Sequence, residues 1–526
     1  MAASLPGQDF SATTPIDKLA PAVPSISDRR TDELVLAVVG PVGSGCTRVG
    51  ELLAQILSAT FGYSVTTHKL SKIASESAEL LGPNRPPIGA AADRVSGLQK
   101  TGNELRKKFG EDYLAAKCIE KIARWRDQEA TAKSHGGEPV PERKRQVHIL
   151  DSIKNPAEVR LLRETYGDLF WLFGVFAPIE VRRLRLRTLK GFDTAALDAI
   201  IAHDYKETDS YGQSVRDSFF QADFFVRNDQ SNDSRLTRDV TRYLEILFGI
   251  PVHTPTVDEL SMYAAYSQAM GSACLSRQVG AAIVSSAGDV IGLGGNDVPK
   301  FNGGLYRTED LDNDHRCFKW GTKLCHNDQQ KRALYEQIYE SLSNEGLLAA
   351  GVGKEKLTIA VAKTEVRSLI EYSRAVHAEM EAIISVARGQ KAGLIGATMY
   401  STTYPCHSCA RHIVASGIHS VVYVEPYPKS RAFELHNDAI SESEADIGTK
   451  LVFLQYNGIA PKHALRLFRS ERNRKTSNGL LVSSDRKTAR PIAETSLDDY
   501  STHERYVVAN LTEIETRAKE TQPKLL

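Results

Sequence analysis

The chain has three tryptophans, five methionines and seven cysteines in 526 residues, and its 66 Lys+Arg nearly cancel its 65 Asp+Glu. Each scarcity excludes something. Seven cysteines, an odd number thinly spread, do not make a disulfide framework; in a reducing compartment a close Cys pair points to metal or redox work instead. A formal charge of +1 argues against a dedicated nucleic-acid coat. No apolar run approaches the roughly 18 residues that a membrane span needs. The first thirty residues lack the basic start and apolar core of a secretory signal. A cytoplasmic protein with no membrane association is expected. What remains, 41% apolar and 25% charged residues, is ordinary globular composition, and the length predicts about two to four domains.

Residues 1–30, rich in Pro, Ser, Ala and Asp, read as a flexible leader. From Glu33 an apolar run, LVLAVV, is followed by a Gly-rich turn and a helical pattern, RVGELLAQILSATFG. Further strands are predicted at Tyr63–Thr67, Gln146–Asp151 and Trp171–Phe176, with a surface insertion at 130–145. Strands alternating with helices imply a parallel sheet covered on both faces, over residues 31–250. PVHTP (251–255) reads as a linker. A second α/β unit, 256–475, begins with a helix at 258–273 and a hairpin turning at Ser286–Gly288. A long polar segment, about 299–355, comes next; a helix from His377, a strand (397–402), a helix (406–416) and a strand (419–424) follow. Residues 476–526 read as a basic and polar extension, partly ordered.

The most specific pattern is His377-Ala378-Glu379, followed after a strand by Pro405-Cys406-His407-Ser408-Cys409. Two cysteines three apart at a helix start share one turn and can grip a single ion. The helix dipole and a metal both favour ionised sulfur. His377, at the start of a neighbouring helix, gives a third ligand and leaves a fourth tetrahedral position for water, the mark of a catalytic zinc site. Glu379 is placed to move protons rather than to bind metal. This conjunction is the pattern of zinc-dependent nucleobase deaminases, in which water attacks C4 of cytosine and ammonia leaves. A structural zinc knuckle would account for the Cys pair but not for the His-x-Glu.

Residues 258–430 resemble the deoxycytidylate deaminase branch of the cytidine deaminase fold. The stretches that carry the resemblance are CLSRQVGAAIV (274–284), GGND (294–297), HAEMEAI (377–383), GATMYSTTYPCHSCARHIVASGI (396–418) and VVYVEPY (421–427). The resemblance implies that His377, Cys406 and Cys409 hold Zn²⁺ and that Glu379 is the catalytic proton shuttle. It implies Asn296 on the sugar or base, the Ala378 backbone and the Thr402–Thr403 strand end along the pyrimidine pocket, and Tyr427 stacking near the base. Asn296 also reads as a turn residue, and Tyr427 as ordinary packing. Some members carry an additional zinc. Cys274, His315, Cys317 and Cys325, with His326, offer N/S ligands for such a second, structural site, though their spacings fit no single zinc-ribbon pattern.

The front half carries Gly40-Pro41-Val42-Gly43-Ser44-Gly45-Cys46-Thr47 between a strand and a helix, the frame of a phosphate-binding loop. Backbone N–H groups of such a loop point at phosphate. Thr47 has the place of the magnesium-binding hydroxyl, and Asp151 that of the second acidic ligand. Cys46 stands where the lysine belongs, which fits a nucleotide cradle better than phosphoryl transfer. Arg182, Arg183, Arg185 and Arg187 resemble the basic lid of small P-loop kinases.

A P-loop kinase-like domain followed by a deoxycytidylate deaminase domain resembles the bacterial anti-phage dCTP deaminases. The resemblance implies deamination of dCTP or dCMP to deoxyuridine nucleotides, draining the pool a phage needs, with the front domain regulating the deaminase and the chain assembling as a homo-oligomer. Two other readings stand beside it. One is a deaminase acting on tRNA or single-stranded DNA, for which residues 462–490 offer nine Lys/Arg against two acidic residues. The other is a bifunctional nucleotide kinase–deaminase, which Cys46 opposes.

Overall fold

The structure, a computed structural model, describes residues 30–87, 91–131, 144–190, 197, 200–201, 210–229, 233–250, 252–389, 393–427, 430–469, 474–482, 484–493 and 495–520. The leader expected over 1–30 and the insertion expected over 130–145 lie outside these residues except at their edges.

β1 (Leu34–Val39) is buried from end to end. Its alternate side chains feed two separate cores: Val35, Ala37 and Val39 on one face, and Leu34, Leu36 and Val38 on the other. That is why the run is continuously apolar rather than alternating. β1 is central in a six-stranded sheet ordered β12-β5-β4-β1-β3-β2, with β2 at Ser64–Lys69, β3 at Gln146–Ile153, β4 at Phe170–Phe176, β5 at Phe224–Arg227 and β12 at Gly458–Ile459. The first five run parallel, and β12 closes the edge antiparallel to β5. The expected P-loop kinase-like parallel sheet is present. Its glycine loop leaves β1 at the carboxyl edge, where strand order reverses and α/β sheets bind ligands.

The second sheet has the order β10-β11-β9-β8-β6-β7. β6 (Gly280–Val284) and β7 (Val290–Gly295) form the expected hairpin, and β8 (Thr398–Thr403) lies antiparallel to β6. β9 (Ser420–Glu425), β11 (Leu451–Gln455) and β10 (Ile440–Ser441) then continue in parallel. Helix Val257–Met270 covers one face, where Met262 and Ala265 join Ala282 and Tyr400. Helices Ala378–Arg388 and His407–Ala415 cover the other, where Ala378, Ala382 and Cys409 join Ala281 and Met399. This is the expected α/β/α layering.

The two sheets are stitched by one stretch of chain. β11 lies in the second sheet and β12, three residues on, lies in the first. Glu259, at the start of helix Val257–Met270, accepts from the Ile459 N–H and pairs with Arg242 of helix Ser234–Leu247 at 2.7 Å. Beyond β12, Ala460 N–H donates to the Asp223 carbonyl, and the Asp223 carboxylate meets His463, Lys462 and Arg163 at 2.7, 3.2 and 2.8 Å. The polar segment near 299–355 holds a long helix, His326–Asn344. The tail, expected to be only partly ordered, forms helix Leu497–Glu520, and Glu504 on it meets the buried Arg126, which also holds Glu33. Its sequence looks solvated because only one stripe of that helix packs.

Burial alone would push the Asp223 carboxyl up, but His463, Lys462 and Arg163 outweigh it and hold the group well below the usual carboxylate range. A depressed folded-state pKa contributes stability above the unfolded value, near 4, and that contribution is lost as pH falls through the folded value. Asp223→Asn is therefore expected to cost about 3–5 kcal/mol near neutral pH. The gap from wild type in urea melts should be full at neutral pH and narrow below about pH 4. A gap that stays constant into acid would contradict this assignment.

Candidate metal centre and active site

Two helix N-termini meet on one face of the second sheet. His377 is the N-cap of helix Ala378–Arg388, and Cys406 is the N-cap of helix His407–Ala415. The first helix lies unusually close to β7. A Cβ on Gly294 would sit 2.2 Å from the Ala378 carbonyl oxygen, and one on Gly292 would sit 2.8 Å from that of Ala382. Gly294 is thus a strand residue that lets backbone approach backbone. Pro405 ends β8, and Cys406 turns its sulfur inward to accept from the Cys409 N–H.

His377 Nδ1 lies 3.4 Å from Cys406 Sγ and 3.3 Å from Cys409 Sγ, and Glu379 Oε2 lies 3.5 Å from Cys409 Sγ. The two sulfurs and the imidazole all fall within 4.8 Å of one another. Cys406, Cys409 and Glu379 are buried. Hydrogen bonds from Cys409 and His377 draw the Cys406 thiol down to about 4, while Cys409, the donor, is pushed up. The bond to Cys406 raises His377 to about 9 against the effect of burial. Burial, then the Cys406 charge, pushes Glu379 up. The set is a negative charge with protons crowded round it, which is what a cation displaces when it binds. One nitrogen and two sulfurs in a buried niche, with a carboxylate beside them, fit zinc and its preference for mixed N/S donors.

A cavity of about 240 Å³ opens on this centre. Ala378, Glu379, Asn296, Thr403 and Tyr427 line it. Asn296 accepts from Val279 N–H and donates to the Arg277 carbonyl, so it also shapes the wall; one lone pair and one amide hydrogen remain. Thr402, expected beside Thr403, is turned away: alternation along β8 sends its hydroxyl to the Gly280 N–H of β6. The Arg277 guanidinium sits 5.9 Å from the Tyr427 ring centroid. Arg277, Lys331, Arg367 and Tyr404 at the cavity were not foreseen as site residues. Arg277 lay inside a stretch already singled out. Lys331, in the polar segment, and Arg367, beyond it, carry no local signal, because only the fold brings them here.

The second metal set is not gathered. Among the described residues, no three of Cys274, His315, Cys317, Cys325 and His326 come within coordinating reach of one another. His315 is held between Tyr306 and Trp320 instead. Arg374 stacks 4.3 Å from the Trp320 ring and donates to the His315 carbonyl. A ring–guanidinium cluster thus organises this segment where a metal was expected.

In the front half, Gly43 and Gly45 take positive φ (82° and 87°), as the glycine loop requires. Gly40 packs where a Cβ would lie 2.2 Å from the Val175 carbonyl. Ser44 is buried, and the half-buried Cys46 packs towards the core behind helix Cys46–Phe61. Thr47 donates to Asp151 Oδ2 at 2.8 Å, so the expected hydroxyl and acid do meet. Arg182 and Arg185, expected as a lid, donate instead to loop carbonyls at Val42, Gly43 and Ser44. Four of the nine cations of the basic stretch 462–490 are engaged in ion pairs with the front half: Lys462 meets Asp223, Arg466 meets Asp168, Arg486 meets Glu245 and Arg490 meets Asp32.

Residues 255–425 match the family described as the cytidine and deoxycytidylate deaminase zinc-binding region. A UPF0200/UPF0201 protein of Archaeoglobus fulgidus is 32% identical over 132 residues, which is 25% of this chain and 35% of that protein. The deoxycytidylate deaminase of Enterobacteria phage T2 is 46% identical over 56 residues, 11% of this chain and 29% of its own. The chain thus spans about a third of the length of the curated relatives it matches. The crystal structure of a dCMP deaminase from cyanophage S-TIM5 in apo form aligns over 39% of this chain and 100% of its own, at 15% identity and a TM-score of 0.21.

Gly294→Ala is expected to push the His377 helix off the sheet and abolish stoichiometric zinc, read by elemental analysis of the purified chain. Gly353→Ala, whose Cβ would meet nothing within 4 Å, should keep it. Full zinc in both variants would contradict the close-packing account.

Proposed function

We propose that the chain is a zinc-dependent hydrolytic deaminase of deoxycytidine nucleotides, dCTP or dCMP, that drains dCTP in anti-phage defence. The observation that carries this reading is the convergence of His377, Cys406 and Cys409 with the buried Glu379 beside them. Zinc, when bound by those three residues, supplies the Lewis acidity that brings the pKa of water toward 7. Glu379, whose buried carboxyl is held above its usual range, takes the proton of the attacking water. It then delivers protons to the ring and to the amine, the C4–N bond breaks and ammonia leaves. The Ala378 backbone, Asn296, Thr403 and Tyr427 line the space for a pyrimidine and its sugar.

A nucleotide, rather than a free nucleoside, is supported by the mouth of the cavity. Arg277, Lys331 and Arg367 bring three cations there, Arg277 paired with Glu425 and Lys331 lying 3.5 Å from Asp328, which leaves a net positive charge at Arg367. Action on nucleic acid is disfavoured by the ion pairs that occupy Lys462, Arg466, Arg486 and Arg490. The defence role is supported by the union of a P-loop kinase-like half with a deaminase region in one chain. All seven cysteines are free thiols, as a cytoplasmic location would have them, and no helix among the described residues is long and apolar enough to cross a membrane.

The test is ammonia release and product mass for the full chain with dCMP, dCTP and deoxycytidine. Glu379→Ala is expected to lower kcat by about 10²–10⁴-fold with zinc content unchanged. Lys331→Ala combined with Arg367→Ala should raise KM for the nucleotides by about tenfold or more and leave deoxycytidine unaffected. Zinc-loaded protein that releases no ammonia from either nucleotide would end the proposal.

A further inference from the structure

Besides Glu379, Asp328 is the one carboxylate among the described residues that line the cavity over the zinc centre. An acid at the mouth of a site for a phosphorylated substrate works against binding, so its presence calls for a reason.

Asp328 lies in the first turn of helix His326–Asn344, three residues before Lys331. Residues three apart share a helix face, and Asp328 Oδ1 lies 3.5 Å from Lys331 Nζ. The start of this helix is clamped to one short stretch of chain. Asn327 Nδ2 donates to the Leu369 carbonyl at 3.2 Å, and Lys331 Nζ donates to the Arg367 carbonyl at 3.1 Å. Arg367 and Leu369 line the same cavity, so the acid is held at a fixed place on its rim. The two charged side chains of the helix differ in exposure: Lys331 is 13% exposed and Asp328 61%. The cation is therefore set into the wall, and the acid stands further out, toward water. An exposed pair of this kind contributes little to stability, so the fold gains little from the acid.

The balance of charge at the rim gives Asp328 a different use. Arg277 is matched by Glu425 and Lys331 by Asp328, which leaves Arg367 with the net positive charge. One phosphate can be met there without displacing an acid. Each further phosphate brings more negative charge toward Asp328, and that repulsion grows with the charge of the ligand. We propose that Asp328 is a specificity-determining residue: it holds the Lys331 ammonium in an ion pair, presents its own charge to a longer phosphate chain, and so penalises a nucleoside triphosphate relative to the monophosphate. The inference rests on the deaminase reading, which puts the pyrimidine at the zinc centre and the phosphates at the rim. No group of the front half enters it.

The experiment compares kcat/KM for dCTP and for dCMP, read as ammonia release by the zinc-loaded full-length chain at one fixed concentration of free magnesium. Asp328→Asn is expected to raise the dCTP-to-dCMP ratio by about threefold or more. The rise should shrink between about 0.05 M and about 0.5 M salt, as screening shortens the reach of the charge. Asp328→Glu, which keeps the charge, should keep the wild-type ratio. Glu336→Gln removes a like charge from the same helix outside the cavity, where Glu336 pairs with Lys354 at 3.2 Å, and should also keep it. Should Asp328→Asn lower the melting temperature, Asp328→Ser serves in its place with the same expected direction. A ratio that fails to rise in the neutral variant, or that rises as much in Glu336→Gln or Asp328→Glu, would overturn the inference and leave the deaminase reading standing. Wild-type chain that releases no ammonia from either nucleotide would overturn both.

Discussion

The seating of one helix on two strand glycines governs the rest of this molecule. Without a Cβ on Gly292 and Gly294, the helix that begins after His377 lies against β7 closely enough for its first turn to reach the start of helix His407–Ala415. An imidazole, two sulfurs and a carboxylate are thereby brought into one buried niche. Each group alone would be unremarkable. Together, away from water, they perturb one another strongly: one sulfur is readily ionised, the imidazole holds its proton, and the acid is kept protonated beyond its usual range. A cation relieves that crowding, and the same burial that makes the niche costly makes its electrostatics effective in chemistry.

The chain couples this niche to the phosphate-type loop through covalent continuity rather than a hinge. The strand segment 451–459 belongs to both sheets, and the residues just after it are locked to Asp223 at the root of β5. At the other end of β5, Asn228 donates to the Ser44 carbonyl of the loop, and Arg227 pairs with Glu444. Tyr404, on the zinc cavity, donates to Glu442, two residues away in sequence from Glu444. The packed apolar core is likewise shared, with Phe225 and Tyr456 in one cluster with Met262 and Tyr400. The two halves are therefore built as one folded body, and the tail helix, through Glu504 and Arg126, is part of the first half's core.

Much of this could be read from sequence because the responsible signals are local. His377, Glu379, Cys406 and Cys409 announce themselves by spacing, and β1, β3 and β4 by unbroken apolar runs. What escaped is non-local. β10 and β12 are two residues each and exist only because a neighbouring strand pairs with them. Lys331, in the polar segment, and Arg367, beyond it, reach the cavity only through the path the folded chain takes. Thr402 and Thr403 differ only in strand parity, which needs a register to assign. The four candidate ligands of a second metal were matched by residue type, and type cannot say whether the fold brings three of them within reach of one ion.

X-ray absorption at the zinc edge of the purified full-length chain examines the central claim most directly. The account predicts one zinc per chain with two sulfur neighbours near about 2.3 Å and two nitrogen or oxygen neighbours near about 2.0 Å, the sulfur shell halved in Cys409→Ala. A shell of four sulfurs, or one unchanged by that substitution, would contradict it.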